Sequence, residues 1–179
     1  DSTAVQQAQY EVCAHKWVDM SQEDYGVALL NDGKYGYRCK DGCISANLLR
    51  SQSYPCEEQD NGPHRFSFAL YPHAGGVYGS AAAKYAYALT RPLFVVQSKP
   101  MPSLIKTSDA RAVVETVKPA EDGNGFIARL YNDTPAPISV RVETEGEVSL
   151  TDMLENGSTA SEKTISLRGF EIVTLRVTK

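Results

Sequence analysis

The chain has 179 residues, of which 42% are hydrophobic and 22% are charged, and its formal net charge is −4. These values are ordinary for a folded protein and allow one medium domain or two small ones. The slightly acidic balance argues against a nucleic-acid partner, because nucleic-acid-binding proteins present basic surfaces, and since no apolar run reaches the length of a membrane span we expect no membrane partner either.

The first seventy residues predict short β-strands. Loose alternation over residues 8–20 is typical of a strand, and the apolar run Tyr25–Leu30 predicts a strand buried on both faces. Ile44–Leu49 follows a turn signal and is predicted to return from it as a strand. His64–Tyr71 alternates cleanly between apolar and polar residues, and we expect Pro72 to end that strand.

One helix is predicted next in the chain. Ser80 stands at an N-cap position, Ala81–Leu89 is rich in helix formers, and Pro92 is expected to stop the helix. Leu93–Val96 is interpreted as one further strand. Ser98–Ser103 carries two prolines in six residues and is the best candidate for a linker between two domains.

The remaining residues predict a small β-sandwich. Short runs rich in β-formers follow one another, and most are separated by Gly, Pro, Asn or Asp, which is the spacing of sandwich strands. The predicted strands are Val113–Lys118, Gly125–Tyr131, Ile138–Glu143, Glu147–Asp152, Thr164–Leu167 and Glu171–Val177.

The four cysteines are Cys13, Cys39, Cys43 and Cys56. Their spacing matches no zinc finger or ribbon. We favour four reduced thiols in a cytoplasmic protein. The alternative is a disulfide between Cys39 and Cys43, which flank a predicted hairpin turn.

The sequence offers no pattern of a catalytic or metal site. The histidines His15, His64 and His73 are far apart and form no metal-binding pair, so hydrogen-bonded or surface histidines are expected. Neighbouring acids such as Glu57 and Glu58 would point apart in a strand, which favours solvated loop charges. We therefore predict neither catalytic residues nor metal ligands here.

Several sequence blocks resemble a known family when they are taken together and in order. They resemble the C-terminal part of glycoside hydrolase family 38, the α-mannosidases, and in particular its bacterial, fungal vacuolar and cytosolic branch. The blocks are Glu11–Asp19, Tyr25–Asp32, Lys34–Tyr37, Leu48–Ser51, His64–His73, Val117–Glu121, Gly125–Tyr131 and Phe170–Val177.

This resemblance implies an all-β fold with one short helix near residues 80–90. Residues 1–100 would be the C-terminal part of a galactose-mutarotase-like β-supersandwich, and residues 101–179 a small C-terminal β-sandwich. Because a supersandwich interrupted partway leaves strand edges unpaired, we expect residues 1–50 to pair with another copy or with the second sandwich.

The resemblance also implies a function. A preceding catalytic domain would hold zinc and the two carboxyl groups of a retaining glycosidase, so this region would be non-catalytic and hold no cofactor of its own. Its partners would be that upstream catalytic domain, a mannose-containing glycan and, in an oligomer, further copies of itself. The expected location is the cytoplasm, with the vacuole or lysosome as the alternative. The alternative function is an independent carbohydrate-binding β-module.

The best candidates for sugar contact lie where the strand Tyr25–Leu30 runs into a loop. Binding groups gather on loops held by rigid strands, and polar and aromatic side chains suit the hydroxyls and the apolar face of a sugar. The alternative is an ordinary turn with a packed tyrosine, and for Trp17 a place in the core. The candidate substrate-binding residues are Asn31, Asp32, Lys34, Tyr35, His15, Lys16 and Trp17.

Overall fold

Strands dominate both halves of the chain, which confirms the all-β prediction. The computed structural model describes residues 11–91 and 93–178. The chain divides into two compact units, residues 1–96 and residues 97–179. Within the described ranges, no helix is long and apolar enough to cross a membrane.

The first unit contains two three-stranded antiparallel sheets, with strand orders β1-β4-β5 and β2-β3-β6. A 3₁₀ turn at Val77–Gly79 leads into helix α1, Ala82–Thr90. The strands are β1 Glu11–Cys13, β2 Trp17–Ser21, β3 Tyr25–Asn31, β4 Gly36–Lys40, β5 Cys43–Ala46 and β6 Phe68–Ala74.

Helix α1 covers one face of the β2-β3-β6 sheet. Its buried residues Ala82 and Ala86 meet Ala28 and Leu30 of β3. Small side chains at the contact let the helix lie close to the sheet, and the helix thereby keeps the hydrophobic side chains of that face from water. Trp17, Ala69, Tyr71 and Val77 pack around this core.

Several local predictions for the first unit are corrected by the structure. Strand β6 runs through Pro72 to Ala74, and it tolerates proline because it is the edge strand of its sheet. Helix α1 begins one residue later than predicted, with Ala81 as the N-cap in place of Ser80. Pro92 lies outside the described residues. Leu93–Val96 forms no strand.

The four cysteines are free thiols. In the β4–β5 hairpin, Cys39 lies opposite Ile44, whereas Cys43 lies opposite Lys40. Because side chains alternate between the two faces of a strand, Cys39 and Cys43 point to opposite faces of the hairpin. The alternative of a Cys39–Cys43 disulfide is therefore wrong for this fold.

The second unit is a β-sandwich whose larger sheet has the strand order β12-β11-β14-β9-β8 and whose smaller sheet has the order β13-β10-β7. The six predicted strands are present, and each observed bound lies within one residue of the predicted one; the two-residue strands β7 and β12 were not predicted. The strands are β7 Lys106–Thr107, β8 Ala112–Pro119, β9 Phe126–Asn132, β10 Ile138–Glu143, β11 Glu147–Thr151, β12 Thr159–Ala160, β13 Thr164–Leu167 and β14 Ile172–Thr178.

A buried carboxylate ties the loop after β11 to the larger sheet. The side chain of Glu155 is only 5% exposed. It accepts a hydrogen bond from the Glu121 backbone N–H at 2.9 Å and one from Lys118 Nζ at 2.5 Å, and Arg176 lies 3.8 Å away. The hydrogen bond from the Glu121 backbone, followed by that from Lys118, lowers the pKa of Glu155 below its ordinary value.

Candidate functional site

Asn31 organises the loop that follows β3. Its side chain is fully buried, and its Oδ1 accepts hydrogen bonds from the backbone N–H groups of Gly33 at 2.9 Å and Lys34 at 2.6 Å. Its Nδ2 donates to the hydroxyl of Tyr37, which in turn donates to the Lys34 carbonyl at 3.0 Å. The Asn31 side chain is thus committed to fixing the loop, which gives it a positioning role.

The buried tyrosine completes this arrangement from the next strand. Tyr37 lies on β4 and is 2% exposed. Burial raises the pKa of its hydroxyl, so the group stays protonated and can donate to the loop. A loop whose polar groups are satisfied in this way presents its outward side chains in a defined geometry.

Asp32 and Lys34 point away from this buried network. Asp32 Oδ1 accepts a long hydrogen bond, 3.4 Å, from the Ser67 N–H. Hydrogen bonding from Ser67 lowers the pKa of Asp32, and the charge of Lys34 contributes in the same direction. Lys34 Nζ lies 4.7 Å from the centroid of the Phe66 ring, within the range of a cation–π contact.

The segment that precedes β2 lies beside the same loop. The Ala14 N–H donates to the Tyr35 carbonyl at 3.1 Å, and the Asn31 N–H donates to the Lys16 carbonyl at 2.9 Å. These two bonds bring the ring of His15 to a centroid distance of 5.9 Å from the ring of Tyr35. The two rings therefore form one aromatic surface.

Lys16 and Trp17 turn in other directions. Lys16 has a left-handed backbone with φ of 69° and places its Nζ 4.0 Å from the centroid of the Tyr87 ring on α1. Trp17 lies opposite Leu30 in the sheet and packs against the core under α1. The backbones of all seven predicted residues thus lie at one end of the sheet, but the Lys16 side chain reaches the Tyr87 ring on α1 and the Trp17 side chain packs into the core.

A polar cleft opens beside Tyr35, which is 61% exposed. The cleft has a volume of about 460 Å³ and lies between the β3–β4 loop and the segment after β5, a size within the range of small-molecule sites. Its polar lining includes Lys34, Arg50, Gln52, Gln59 and Asp60.

The far wall of this cleft is held by its own hydrogen bonds. Asp60 Oδ2 accepts from the Ser51 N–H at 2.7 Å, and Gln52 Nε2 donates to Gln59 Oε1 at 2.6 Å. Sequence reasoning missed Arg50 and Asp60 as neighbours of Tyr35. The resemblance block Leu48–Ser51 was the available signal, but the sequence does not show that the following loop folds back toward Lys34.

A second missed feature is a buried histidine–aspartate pair, with Asp19 on β2 and His73 on β6. His73 Nε2 lies 2.8 Å from Asp19 Oδ1, and the two side chains are 4% and 5% exposed. The hydrogen bond to Asp19 is the main cause that raises the pKa of His73. His73 crosses over Gly26 and stacks on Tyr71, with ring centroids 5.7 Å apart.

The other histidines also have local partners. His64 Nε2 lies 2.9 Å from the Asp60 carbonyl, and the His64 ring stacks on Phe66. Among the residues that the structure describes, no group of three His, Cys, Asp or Glu side chains could hold a metal ion. The site therefore offers hydrogen-bonding groups and an aromatic surface, without a metal centre in the described ranges.

Comparison with protein families matches both units. Residues 1–58 match the model of the glycosyl hydrolases family 38 C-terminal domain. Residues 111–175 match the model of the glycosyl hydrolases family 38 C-terminal β-sandwich domain. This chain belongs to the C-terminal region of glycoside hydrolase family 38.

Several curated relatives of this family 38 region are named as α-mannosidases. Alpha-mannosidase G of Dictyostelium discoideum is 34% identical over 94% of the chain and 17% of the relative. Alpha-mannosidase 2C1 of Homo sapiens is 35% identical over 88% of the chain and 16% of the relative. The chain thus spans about a sixth of the length of these curated relatives.

A solved structure shares the fold of this family 38 region. The crystal structure of an alpha-mannosidase from Enterococcus faecalis V583 matches with a TM-score of 0.77 and 23% sequence identity. The match covers 93% of this chain and 21% of that one. The matched fold therefore occurs in one part of a much longer chain.

Proposed function

We propose that this chain is the non-catalytic C-terminal part of a retaining, zinc-dependent α-mannosidase, in which it supports the catalytic domain and lines the substrate cleft. The matches to two family 38 C-terminal models support this proposal. The names of the curated relatives support mannose-containing glycans as substrates of the whole protein. As part of this proposal we assign the zinc ion and the reacting carboxyl groups to the preceding domain. Among the described residues, no group of three His, Cys, Asp or Glu side chains is placed to hold a metal ion.

The cleft beside Tyr35 supports a role in substrate contact. The exposed tyrosine ring offers a flat apolar surface of the kind on which a sugar ring stacks. The amides and charged groups across the cleft can exchange hydrogen bonds with hydroxyl groups. Asn31 and Tyr37 hold the Tyr35 loop from below, so the ring is positioned before a ligand arrives.

The assignment of chemistry is tested by hydrolysis of an aryl α-mannoside. We expect a longer polypeptide that carries this region at its C-terminus to turn the substrate over and to lose that activity when zinc is removed by a chelator. We expect the 179-residue chain alone to be inactive. Robust turnover by the chain alone would contradict the proposal.

The role of the cleft is tested by Tyr35→Ala in the longer polypeptide. Loss of one aromatic stacking contact is worth about 0.5–1.5 kcal/mol, so we expect KM to rise about two- to tenfold. Tyr25→Ala is the matched control, because Tyr25 is 53% exposed and lies at the other end of β3. If both substitutions change KM equally, the claim that the cleft beside Tyr35 contacts substrate is wrong. Strong oligosaccharide binding by the chain alone would favour an independent carbohydrate-binding module.

A further inference from the structure

Two cationic side chains line the polar cleft beside Tyr35. Lys34 belongs to the β3–β4 loop, and Arg50 belongs to the segment after β5. Within the described ranges, neither cationic group lies within ion-pair distance of a carboxylate. Lys34 Nζ lies over the Phe66 ring, a contact that does not neutralise its charge.

The balance of charge in this cleft differs from that of the whole chain. One carboxylate lines the cleft, that of Asp60, whose Oδ2 accepts a hydrogen bond from the Ser51 N–H at 2.7 Å. Asp32, Glu57 and Glu58 do not line it. The lining therefore carries two positive charges and one negative charge, in a chain whose formal net charge is −4. This local excess of positive charge favours an anionic group in the ligand.

The two amides of the lining keep part of their hydrogen-bonding capacity. Gln52 Nε2 donates to Gln59 Oε1 at 2.6 Å. Among the described residues, the carbonyl oxygen of Gln52 and the Nε2 group of Gln59 have no hydrogen-bond partner. The pair thus offers both an acceptor and donors to a ligand, which is what a sugar hydroxyl needs because it donates and accepts.

The aromatic ring of Tyr35 supplies the apolar surface of the same cleft. It is 61% exposed, and the buried side chains of Asn31 and Tyr37 fix the loop that carries it. A sugar ring can stack on such a surface while its hydroxyls reach the amides. The cleft thus combines a place for a sugar ring with a place for a negative charge.

The chemistry of the two cations narrows the kind of anion. A guanidinium group is planar and binds the two oxygens of a carboxylate or a phosphate at once, whereas an ammonium group acts as a point charge. Arg50 is exposed at the cleft, so its side chain can turn toward a ligand. Arg50 and Lys34 together suit a phosphate or carboxylate group.

We propose that the cleft beside Tyr35 binds a sugar unit that carries a phosphate or carboxylate group, and that Lys34 and Arg50 select this charged form. The inference rests on the proposed function, which assigns substrate contact to the cleft. It adds the chemical class of the ligand and gives Arg50 a role in specificity.

The test is a titration of the 179-residue chain, followed through the NMR signals of its backbone amides. The probes are methyl α-mannoside, its 6-phosphate and the corresponding uronic acid. Because two exposed ion pairs would form with a charged probe, we expect the Kd of at least one charged probe to be about three- to tenfold lower than that of the neutral probe. Added salt should reduce this difference, since it screens exposed charges.

Three substitutions separate the cleft from general charge effects. Arg50→Gln should reduce the difference in Kd to less than about twofold and leave the Kd of the neutral probe unchanged. Asp60→Asn should enlarge the difference, because it removes the one negative charge of the lining but keeps an acceptor for Ser51. Lys84→Gln is the matched control, because Lys84 is an exposed cation on α1 that does not line the cleft.

Several outcomes would overturn the inference. One is an equal Kd for the neutral probe and both charged probes. Another is an equal effect of Arg50→Gln and Lys84→Gln, with the amide spectra showing that both variants are folded. Inorganic phosphate that binds as tightly as the sugar phosphate would reveal an anion contact without sugar recognition, and this would overturn the inference as well.

The selection of a charged sugar and the proposed function fail in different ways. Hydrolysis of a neutral aryl α-mannoside by the longer polypeptide tests only the function. If that polypeptide is active and the chain prefers no charged probe, the assigned activity is correct and the charge selection is wrong. If it is inactive and Arg50→Gln still removes a measured preference, the charge selection is correct and the assigned activity is wrong.

Discussion

The substitution Gly26→Ala places a methyl group under the buried His73–Asp19 pair. A Cβ at position 26 would lie 2.7 Å from His73 Nε2 and 2.6 Å from Ser21 Cβ, well inside van der Waals contact. His73 cannot simply swing aside, because Asp19 holds it at 2.8 Å and Tyr71 stacks on it. We therefore expect the new methyl group to expel the imidazole and break the pair.

Two costs add in this substitution. Forcing an extra methyl group into a packed site costs about 1–3 kcal/mol. Loss of a buried hydrogen bond to a charged group costs about 1.5–3 kcal/mol. Alanine is better than glycine in a strand interior by about 0.5–1 kcal/mol, which offsets part of the loss. The free energy of unfolding should fall by about 3 kcal/mol, a large share of the roughly 5–15 kcal/mol typical of a folded protein.

Urea unfolding followed by tryptophan fluorescence measures this loss. Trp17 is the only tryptophan and packs against the core of the first unit, so its emission reports that unit alone. Gly76→Ala is the matched control, because a Cβ there meets nothing within 4 Å. The control should change the free energy of unfolding by less than about 0.5 kcal/mol.

The pH dependence of stability provides a second readout. The pKa of His73 is raised in the folded state by Asp19. The pair therefore stabilises the first unit fully below the ordinary imidazole pKa of about 6.5, and its contribution is lost as pH rises through the raised pKa. Gly26→Ala should flatten this dependence at pH values above about 6.5, where the pair in the unmodified protein loses its contribution.

A double-mutant cycle decides whether the imidazole is the cause. In a His73→Ala background the space above Gly26 is open, and Gly26→Ala should then cost about 2 kcal/mol less than in the unmodified protein. The remaining cost comes from Ser21. An equal cost of Gly26→Ala in both backgrounds would refute the reasoning.

Three further substitutions test other parts of the structure. Asn31→Ala leaves the N–H groups of the loop after β3 without their acceptor, so the free energy of unfolding of the first unit should fall by about 2–4 kcal/mol in the same urea assay. Glu155→Gln should lower the free energy of unfolding of the second unit near neutral pH, measured by circular dichroism. The unmodified unit loses stability as pH falls through the lowered pKa of Glu155, and the variant should lack this loss. Gly125→Ala drives a Cβ into the Val177 carbonyl, whereas the same change at Gly123, which also has positive φ, meets nothing within 4 Å. Gly125→Ala should therefore lower the free energy of unfolding of the second unit by at least about 2 kcal/mol more than Gly123→Ala does. Hydrogen exchange of the amides of β9 and β14 measures this difference.

Most of the fold could be predicted because its signals are local. Strand β10 alternates strictly between buried and exposed residues, and β9 and β14 are short β-rich runs bounded by turn residues. Strand β12 has only two residues, so it carries no period to detect. The extension of β6 through Pro72 depends on its place at a sheet edge, which the sequence does not specify.

The candidate site was predicted in part for the same reason. Asn31 to Tyr35 follow an apolar strand, so the sequence places them at its end without any long-range information. Their contacts with Lys16 and His15 arise because β2 and β3 are neighbouring antiparallel strands, so the residues before β2 lie beside the residues after β3. The prediction that these residues touch substrate stays a prediction, and the burial of Asn31 gives that residue a positioning role as well.

The sequence by itself determined the positions of most strands, the helix and the family. The strands and the helix follow from patterns in neighbouring residues, and the family follows from sequence blocks in a fixed order. Only the tertiary structure decided which distant groups meet: His73 with Asp19, Asp60 with Ser51, and Glu155 with Lys118. Such contacts depend on register and loop path, which arise from the packing of the whole chain. Tertiary packing also decides the exposure of Leu93–Val96. These residues are as apolar as core residues, but their side chains are exposed to solvent in this chain.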